Sequence, residues 1–275
     1  MKYGFVMPSG NARDAANLAF EAEQAGWDGF FVYEPVWGTD AWVALTAAAM
    51  RTERIKLGTM LTPLPRMKPW KLASESATLD DLSGGRVVIA VGLGAPDAGY
   101  YAFGEETDRK LRAELLDEGL EVLTGLWGGQ PFSFHGKHFT INPFDQIVAP
   151  LPVQKPRIPI WVVGAHGRTK TLLRAAKRDG LVPSGFNHDG TARDATPAEL
   201  TEMLTFIREH RIETTPFDAI AEGVTPGDDR AAAAEIVCPK REAGATWWLE
   251  ANWTLSGSDT QAQLVKRLRQ GPPAE

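Results

Sequence analysis

Residues 79–94 read LDDLSGGRVVIAVGLG: the end of a helical run, a double glycine, an arginine, five apolar residues and the pair Gly92 and Gly94. Glycines directly behind a strand can cradle a pyrophosphate in a dinucleotide-binding fold. That pattern, G-x-G-x-x-G, requires a third glycine, a helix that starts at once and an acidic residue about 20 positions on. Here the third position is Asp97, the next helical pattern begins near Thr107, and the strand is the fourth in the chain. The dinucleotide fingerprint therefore fails its context test. Two readings of the glycines remain open: room for a ligand to lie against the backbone at a strand end, or a tight turn with no ligand.

Outward from this stretch, short apolar strands alternate with amphipathic helices. Strands are expected at 2–7, 29–33, 55–62, 86–93, 158–164, 180–184, 217–224 and 245–251. Helices are expected at 12–26, 41–52, 69–82, 168–178, 196–210, 229–237 and 259–271, with a further one marked by Leu111, Leu115, Gly119, Val122 and Leu126. Asp40 is placed to cap the second helix, and Thr196 with Pro197 and Glu199 to open the sixth. Strands that alternate with helices pair in parallel through right-handed crossovers. Eight such units in a chain slightly above about 250 residues predict an α/β fold, a (β/α)8 barrel, as one domain over 1–275. Between the fourth helix and the fifth strand, residues 127–159 break the rhythm with many prolines and read as an ordered excursion with a short hairpin at FSFHGKHFTI.

The bulk numbers narrow the function. The 275 residues carry 29 Lys and Arg against 35 Asp and Glu, a net charge of -6. No basic block is present, which argues against a nucleic-acid partner. One cysteine, Cys238, excludes an intramolecular disulfide and a Cys-rich metal site, and it reads as structural before Pro239 at a helix end. His135 and His138 have no third ligand at useful spacing, so they read as exposed hairpin residues and no metal is expected. No apolar run reaches membrane-spanning length, and the expected location is the cytoplasm.

The stretch LGTMLTPLPRMKPWKLASESATLDDLSGGRVVIAVGLG (57–94) resembles the bacterial-luciferase-like family of flavin-dependent oxidoreductases. The likeness extends to AEQAGWDGFFVYEPVW (22–37), LWGGQPFSFHGKHFT (126–140) and PVQKPRIPIWVVGAHGRTKTLLRAAKRDG (152–180). The resemblance implies a (β/α)8 barrel that binds reduced FMN, or the deazaflavin F420, at the face where the strands end. It implies, as the first expectation, monooxygenation of a small organic substrate with reduced FMN and O2, the flavin delivered by a separate reductase; hydride transfer with F420 is the alternative, and a homodimer is expected. A flavin-binding barrel without turnover is the reading from another class.

On that resemblance Thr59, Met60 and Leu61 end the third strand in a backbone bulge, often with a non-proline cis peptide, that props the cofactor ring. Gly92 and Gly94 would give the ring room. GAHGRTKT (164–171) is the candidate phosphate site. Gly164, Ala165 and Gly167 expose backbone N–H groups, the following helix directs its positive end there, and Arg168 and Thr171 add donors. His166 contacts the phosphate or merely occupies the loop. Many relatives carry a histidine after an acidic residue behind strand two, where this chain reads Glu34-Pro35. Glu34 is left as a base, a hydrogen-bonding group or a buried structural carboxylate. Trp37 and Trp253 are candidate walls of the substrate pocket, with Glu250 a further candidate.

Overall fold

The computed structural model describes residues 1–144, 149–255, 257 and 259–273. In chain order it contains β1 (Lys2–Met7), α1 (Ala12–Gln24), β2 (Gly29–Val32), α2 (Ala41–Ala49), β3 (Lys56–Thr62), α3 (Pro69–Leu82), β4 (Val87–Val91) and α4 (Tyr100–Phe103). There follow α5 (Arg109–Trp127), β5 (Phe134–His135), β6 (Thr140–Ile141), β7 (Ile160–Ala165), α6 (Thr169–Ala176), β8 (Gly180–Phe186), β9 (Ala192–Asp194) and α7 (Pro197–His210). The chain then runs through β10 (Asp218–Gly223), α8 (Arg230–Glu242), β11 (Trp247–Glu250) and α9 (Thr260–Arg269).

Eight parallel strands stand in the order β10-β11-β1-β2-β3-β4-β7-β8, and β8 pairs back onto β10 through Asp218 with Gly180 and Ala219 with Leu181. The pairing closes the sheet, so the expected (β/α)8 barrel is the fold. Helix starts follow local chemistry. Asn11 and Asp14 form a reciprocal capping box, as do Thr196 and Glu199, while Asp40 accepts from the Val43 N–H. Each such cap contributes about 1 kcal/mol by satisfying N–H groups that no preceding carbonyl can reach.

Two apolar layers hold the barrel. Outside, the alanine-rich faces of α1 and α2 let these helices lie close on the sheet. Inside, Phe31, Trp161 and Trp247 fill the lower barrel, with ring centroids 5.4 Å (Phe31 to Trp161), 6.0 Å (Phe31 to Trp247) and 5.3 Å (Trp161 to Trp247) apart. Facing glycines make room for them: a Cβ on Gly58 would stand 2.3 Å from the Val88 carbonyl and 2.9 Å from Phe31, and one on Gly180 2.4 Å from Trp161. These three rings form an aromatic plug within the barrel.

The LDDLSGGR stretch proves to be a scaffold. Arg86 is buried. Its Nε donates to the Ser83 carbonyl (2.8 Å), Nη1 to Thr52 Oγ1 (2.7 Å) and the Ile55 carbonyl, and Nη2 to the carbonyls of Ala49 and Thr52. Asp80, also buried, accepts from the N–H groups of Val153 and Gln154 and from Gln154 Nε2 (2.7 Å). One motif thus ties α3, the end of α2 and the returning excursion to the lower rim.

Four expectations are corrected. The sixth barrel strand runs on to Phe186 and turns through β9, which pairs antiparallel with it at Ser184–Phe186. The helix expected at 229–237 passes through Pro239 to Glu242, so Cys238 lies within it. α4 precedes the fourth long helix, in a stretch whose short length gave no period to read. His138, expected to be exposed, is mostly covered and sits 2.9 Å from Glu114 through Nε2. The hairpin within 127–159 is present as β5 and β6, while residues 145–148 of that excursion lie outside the described residues. Among the described residues no helix is long and apolar enough to cross a membrane.

Candidate functional site

Above the aromatic plug a cavity of about 580 Å³ opens at the end where the barrel strands finish. Its lining combines three chemistries. Met60, Leu61, Val163 and Val182 make an apolar wall. Arg109, Arg112, Arg174 and Arg193 bring four guanidinium groups from α5, α6 and β9. Glu34 and Glu222 bring carboxylates from the far arc of strands.

The wall begins at the end of β3. The Met60–Leu61 peptide is cis, and the register between β3 and β4 shifts between Thr59 and Thr62. The bulge expected at this position is therefore present. Met60 and Leu61 face the cavity, whereas Thr59 is fully buried beneath it, its Oγ1 2.8 Å from Thr62 Oγ1.

Glu34 follows β2. Thr62 Oγ1 donates to its Oε2 at 2.5 Å. Burial raises this carboxyl to about 7, against the Thr62 hydrogen bond and the nearby charge of Arg66, which pull it down. Glu222, on β10, was not anticipated. Its Oε2 is buried without a hydrogen-bond partner, and burial, helped by Asp194, raises the carboxyl to about 7 although the nearby Trp253 side chain pulls it down. A carboxylate in the otherwise apolar stretch AIAEGV (219–224), at a strand end, was the available signal.

The arginines were also missed. Three basic residues, Arg109, Lys110 and Arg112, open α5, where the helix dipole disfavours positive charge unless an anion lies near. That placement is readable in sequence. Arg112 Nη1 donates to the carbonyls of Leu93 and Gly94, and its Nε is buried without a partner. Arg174 is held by Asp117 and Arg193 by Glu199. Phe186 lies between two cations, with Arg109 5.7 Å and Arg168 5.5 Å from its ring centroid.

The glycine-rich loop is only partly at the cavity. Ala165 and Thr171 line it, and Thr171 Oγ1 accepts from the Ala165 N–H at 2.8 Å. Gly164 instead faces Leu181 and Leu172, Gly167 adopts a left-handed φ of 70° at the turn, and the Arg168 side chain reaches Phe186. His166 is engaged by Glu202 at 2.8 Å and by Glu199 at 3.5 Å.

Other expected site residues move. Gly92 and Gly94 line the cavity, but the space of their absent side chains is filled by the protein itself: a Cβ would stand 3.0 Å from Val163 at Gly92 and 1.8 Å from Tyr100 Oη at Gly94. They clear room for Val163, Leu61 and Tyr100 while their backbone lines the cavity. Trp253 lines the cavity edge-on to Tyr33 at 6.1 Å. Trp37 does not. It is 81% exposed, stacks on Phe103 and borders a smaller neighbouring cavity of about 240 Å³. Glu250 is structural: it binds the Thr225 N–H and hydroxyl, the Trp248 indole and Arg267, with its side chain 3% exposed.

The family model described as luciferase-like monooxygenase matches residues 1–264. An F420-dependent glucose-6-phosphate dehydrogenase of Nakamurella multipartita is 29% identical over 181 residues, 62% of this chain and 51% of that one. The chain spans about half the length of the curated relatives it matches. Among solved structures, the coenzyme F420-dependent tetrahydromethanopterin reductase of Methanopyrus kandleri superposes with a TM-score of 0.76 at 18% identity, covering 98% of this chain and 96% of that one. A type II Baeyer–Villiger monooxygenase of Pseudomonas putida, in complex with FMN, gives 0.64 at 22% identity over 82% and 67%. At such identities the structures establish the shared fold. The family match over nearly the whole length, on a closed barrel with its cavity at the strand ends, places this chain in the luciferase-like monooxygenase family.

Proposed function

We propose that this chain is an oxidoreductase whose barrel mouth holds a flavin-type cofactor, with F420-dependent hydride transfer as the first reading. One observation carries it: a single cavity joins the apolar wall at the Met60–Leu61 bulge, four arginines and a carboxylate that titrates near neutrality. The residues fit such a group. Tyr100 Oη and Arg112 Nε are buried polar atoms without protein partners at residues lining this cavity, and the polar edge of a ring would satisfy atoms of this kind.

When bound, the deazaflavin supplies the hydride chemistry. The chain supplies the rest. Met60, Leu61 and Val163 support a flat ring and keep water from one face. Arg109, Arg112 and the start of α6 attract the anionic end. Glu34, poised near 7 and steadied by Thr62, holds or releases a proton at Oε2 as the substrate is oxidised or reduced. The curated relatives named for F420 support this choice. Oxygenation with reduced FMN is the second reading, favoured by the same apolar wall, since oxygen chemistry also needs a dry ring face.

Titration of the purified chain with F420 and with FMN, followed by ring fluorescence, separates the two. F420 binding without FMN binding is expected. The reverse favours oxygenation, and binding of neither sinks the proposal. Glu34→Gln should retain cofactor affinity while turnover falls about 10²-fold or more and the pH limb near 7 disappears. Unchanged turnover would remove Glu34 from the proton path.

A further inference from the structure

The cavity is divided. Its guanidinium groups come from α5, α6 and β9, which lie along the arc β4-β7-β8, while Glu34, Glu222 and Trp253 lie on the arc β10-β11-β1-β2. On this second arc the groups form one connected surface. Trp253 stands close enough to Glu222 to pull its carboxyl down, and its ring meets Tyr33 edge-on at 6.1 Å, beside Glu34. Asp194 stands close enough to act on Glu222, at the border between the arcs, and its neighbour Arg193 is occupied by Glu199 at 2.7 and 2.8 Å.

We propose that Glu222, with Trp253 and Tyr33, forms the substrate-recognition end of this cavity and selects small apolar molecules bearing a hydroxyl or amino hydrogen-bond donor, against anionic ones. This rests on the reading of the cavity as the redox site. The physical reason is the partnerless Oε2 of Glu222. A carboxyl oxygen kept from water without a hydrogen bond is costly, and a donor brought by the ligand repays that cost. The two aromatic rings accept the apolar body of such a molecule, and their faces favour an ammonium. A carboxylate or phosphate ligand would meet Glu34, Asp194 and Glu222 together and be repelled. On the opposite arc, Arg109 and Arg112 are placed to hold the anionic part of a cofactor.

Three matched probes test this: benzyl alcohol, benzylamine and benzoate, titrated at pH 8 into the full chain in phosphate buffer, so that inorganic phosphate competes for the arginine arc, and followed by calorimetry. The amine and the alcohol are expected to bind, with benzoate weaker than the alcohol by about tenfold or more. In Glu222→Gln the amine should weaken about tenfold, the alcohol should change little because the amide carbonyl still accepts, and the gap to benzoate should narrow. Trp253→Ala, at a partly exposed position that endangers folding less, should weaken both donor ligands about fivefold. The inference is overturned if benzoate binds as well as the alcohol, if none of the probes binds, or if both variants leave the series unchanged. FMN and F420 titrated into the same preparation keep the two proposals apart. Cofactor binding without donor preference defeats this inference alone, and donor preference without cofactor binding defeats the redox reading alone.

Discussion

Two carboxyls in this molecule act against the usual direction of acid stability. Glu34 and Glu222 are both raised by burial to about 7 from an ordinary value of 4.5. Between those values the folded chain holds more protons than the unfolded chain at these sites, so stability falls as pH rises. Their contribution is fully present below about 4.5 and lost as pH passes through about 7. Glu34→Gln should therefore melt at least about 3 °C higher than the native chain at pH 8 and show little difference at pH 5. Equal shifts at both pH values would contradict the burial argument. Arg86 is the opposite case, a charge held by five hydrogen bonds at the lower rim. Arg86→Lys cannot reach all those acceptors and should cost about 2–4 kcal/mol in urea unfolding, with cofactor affinity kept. Both residues stand out in the sequence as charges beside apolar strands. Their roles do not, because which carboxylate is dry and which arginine is paired depends on chain segments far away.

At the scale of elements, the strand and helix pattern was legible because the periods of 2 and 3.6 are set locally by which face is buried. What escaped were pieces too short to show a period, α4 and β9, and the proline tolerated inside α8. The β9 turn matters most, since it carries Arg193 and Asp194 to the cavity. The glycines escaped for another reason: their neighbours come from other strands. Gly58→Ala would drive a Cβ into the Val88 carbonyl and Phe31, neither free to move, and should cost about 2–3 kcal/mol. Gly84→Ala meets open space and bears only a left-handed φ of 65°, so about 1 kcal/mol is expected. Chemical denaturation of the two variants checks the order, and a reversal would contradict the packed aromatic plug.

For the whole molecule, the closed barrel and the placement of the cavity at the strand ends followed from eight alternating units. Of the expected site residues, the cavity gathers Glu34, Met60, Leu61, Gly92, Gly94, Ala165, Thr171 and Trp253, and leaves Thr59, Trp37, Gly164, His166, Gly167, Arg168 and Glu250 outside its lining. The misses share a cause: a site at a barrel mouth is assembled across strands, and sequence spacing reports only what one loop can offer. The cavity's charge layout, four arginines on one arc, Glu34 and Glu222 on the other and Asp194 at the border, emerges only on closure of the sheet. The most direct test is the affinity of the native chain and of Arg109→Gln, Arg112→Gln for F420 and FMN at two salt concentrations. Binding of one of them, weakened about tenfold or more by the double substitution and by added salt, is predicted. Failure of both to bind, or binding indifferent to the arginines and to salt, would contradict it.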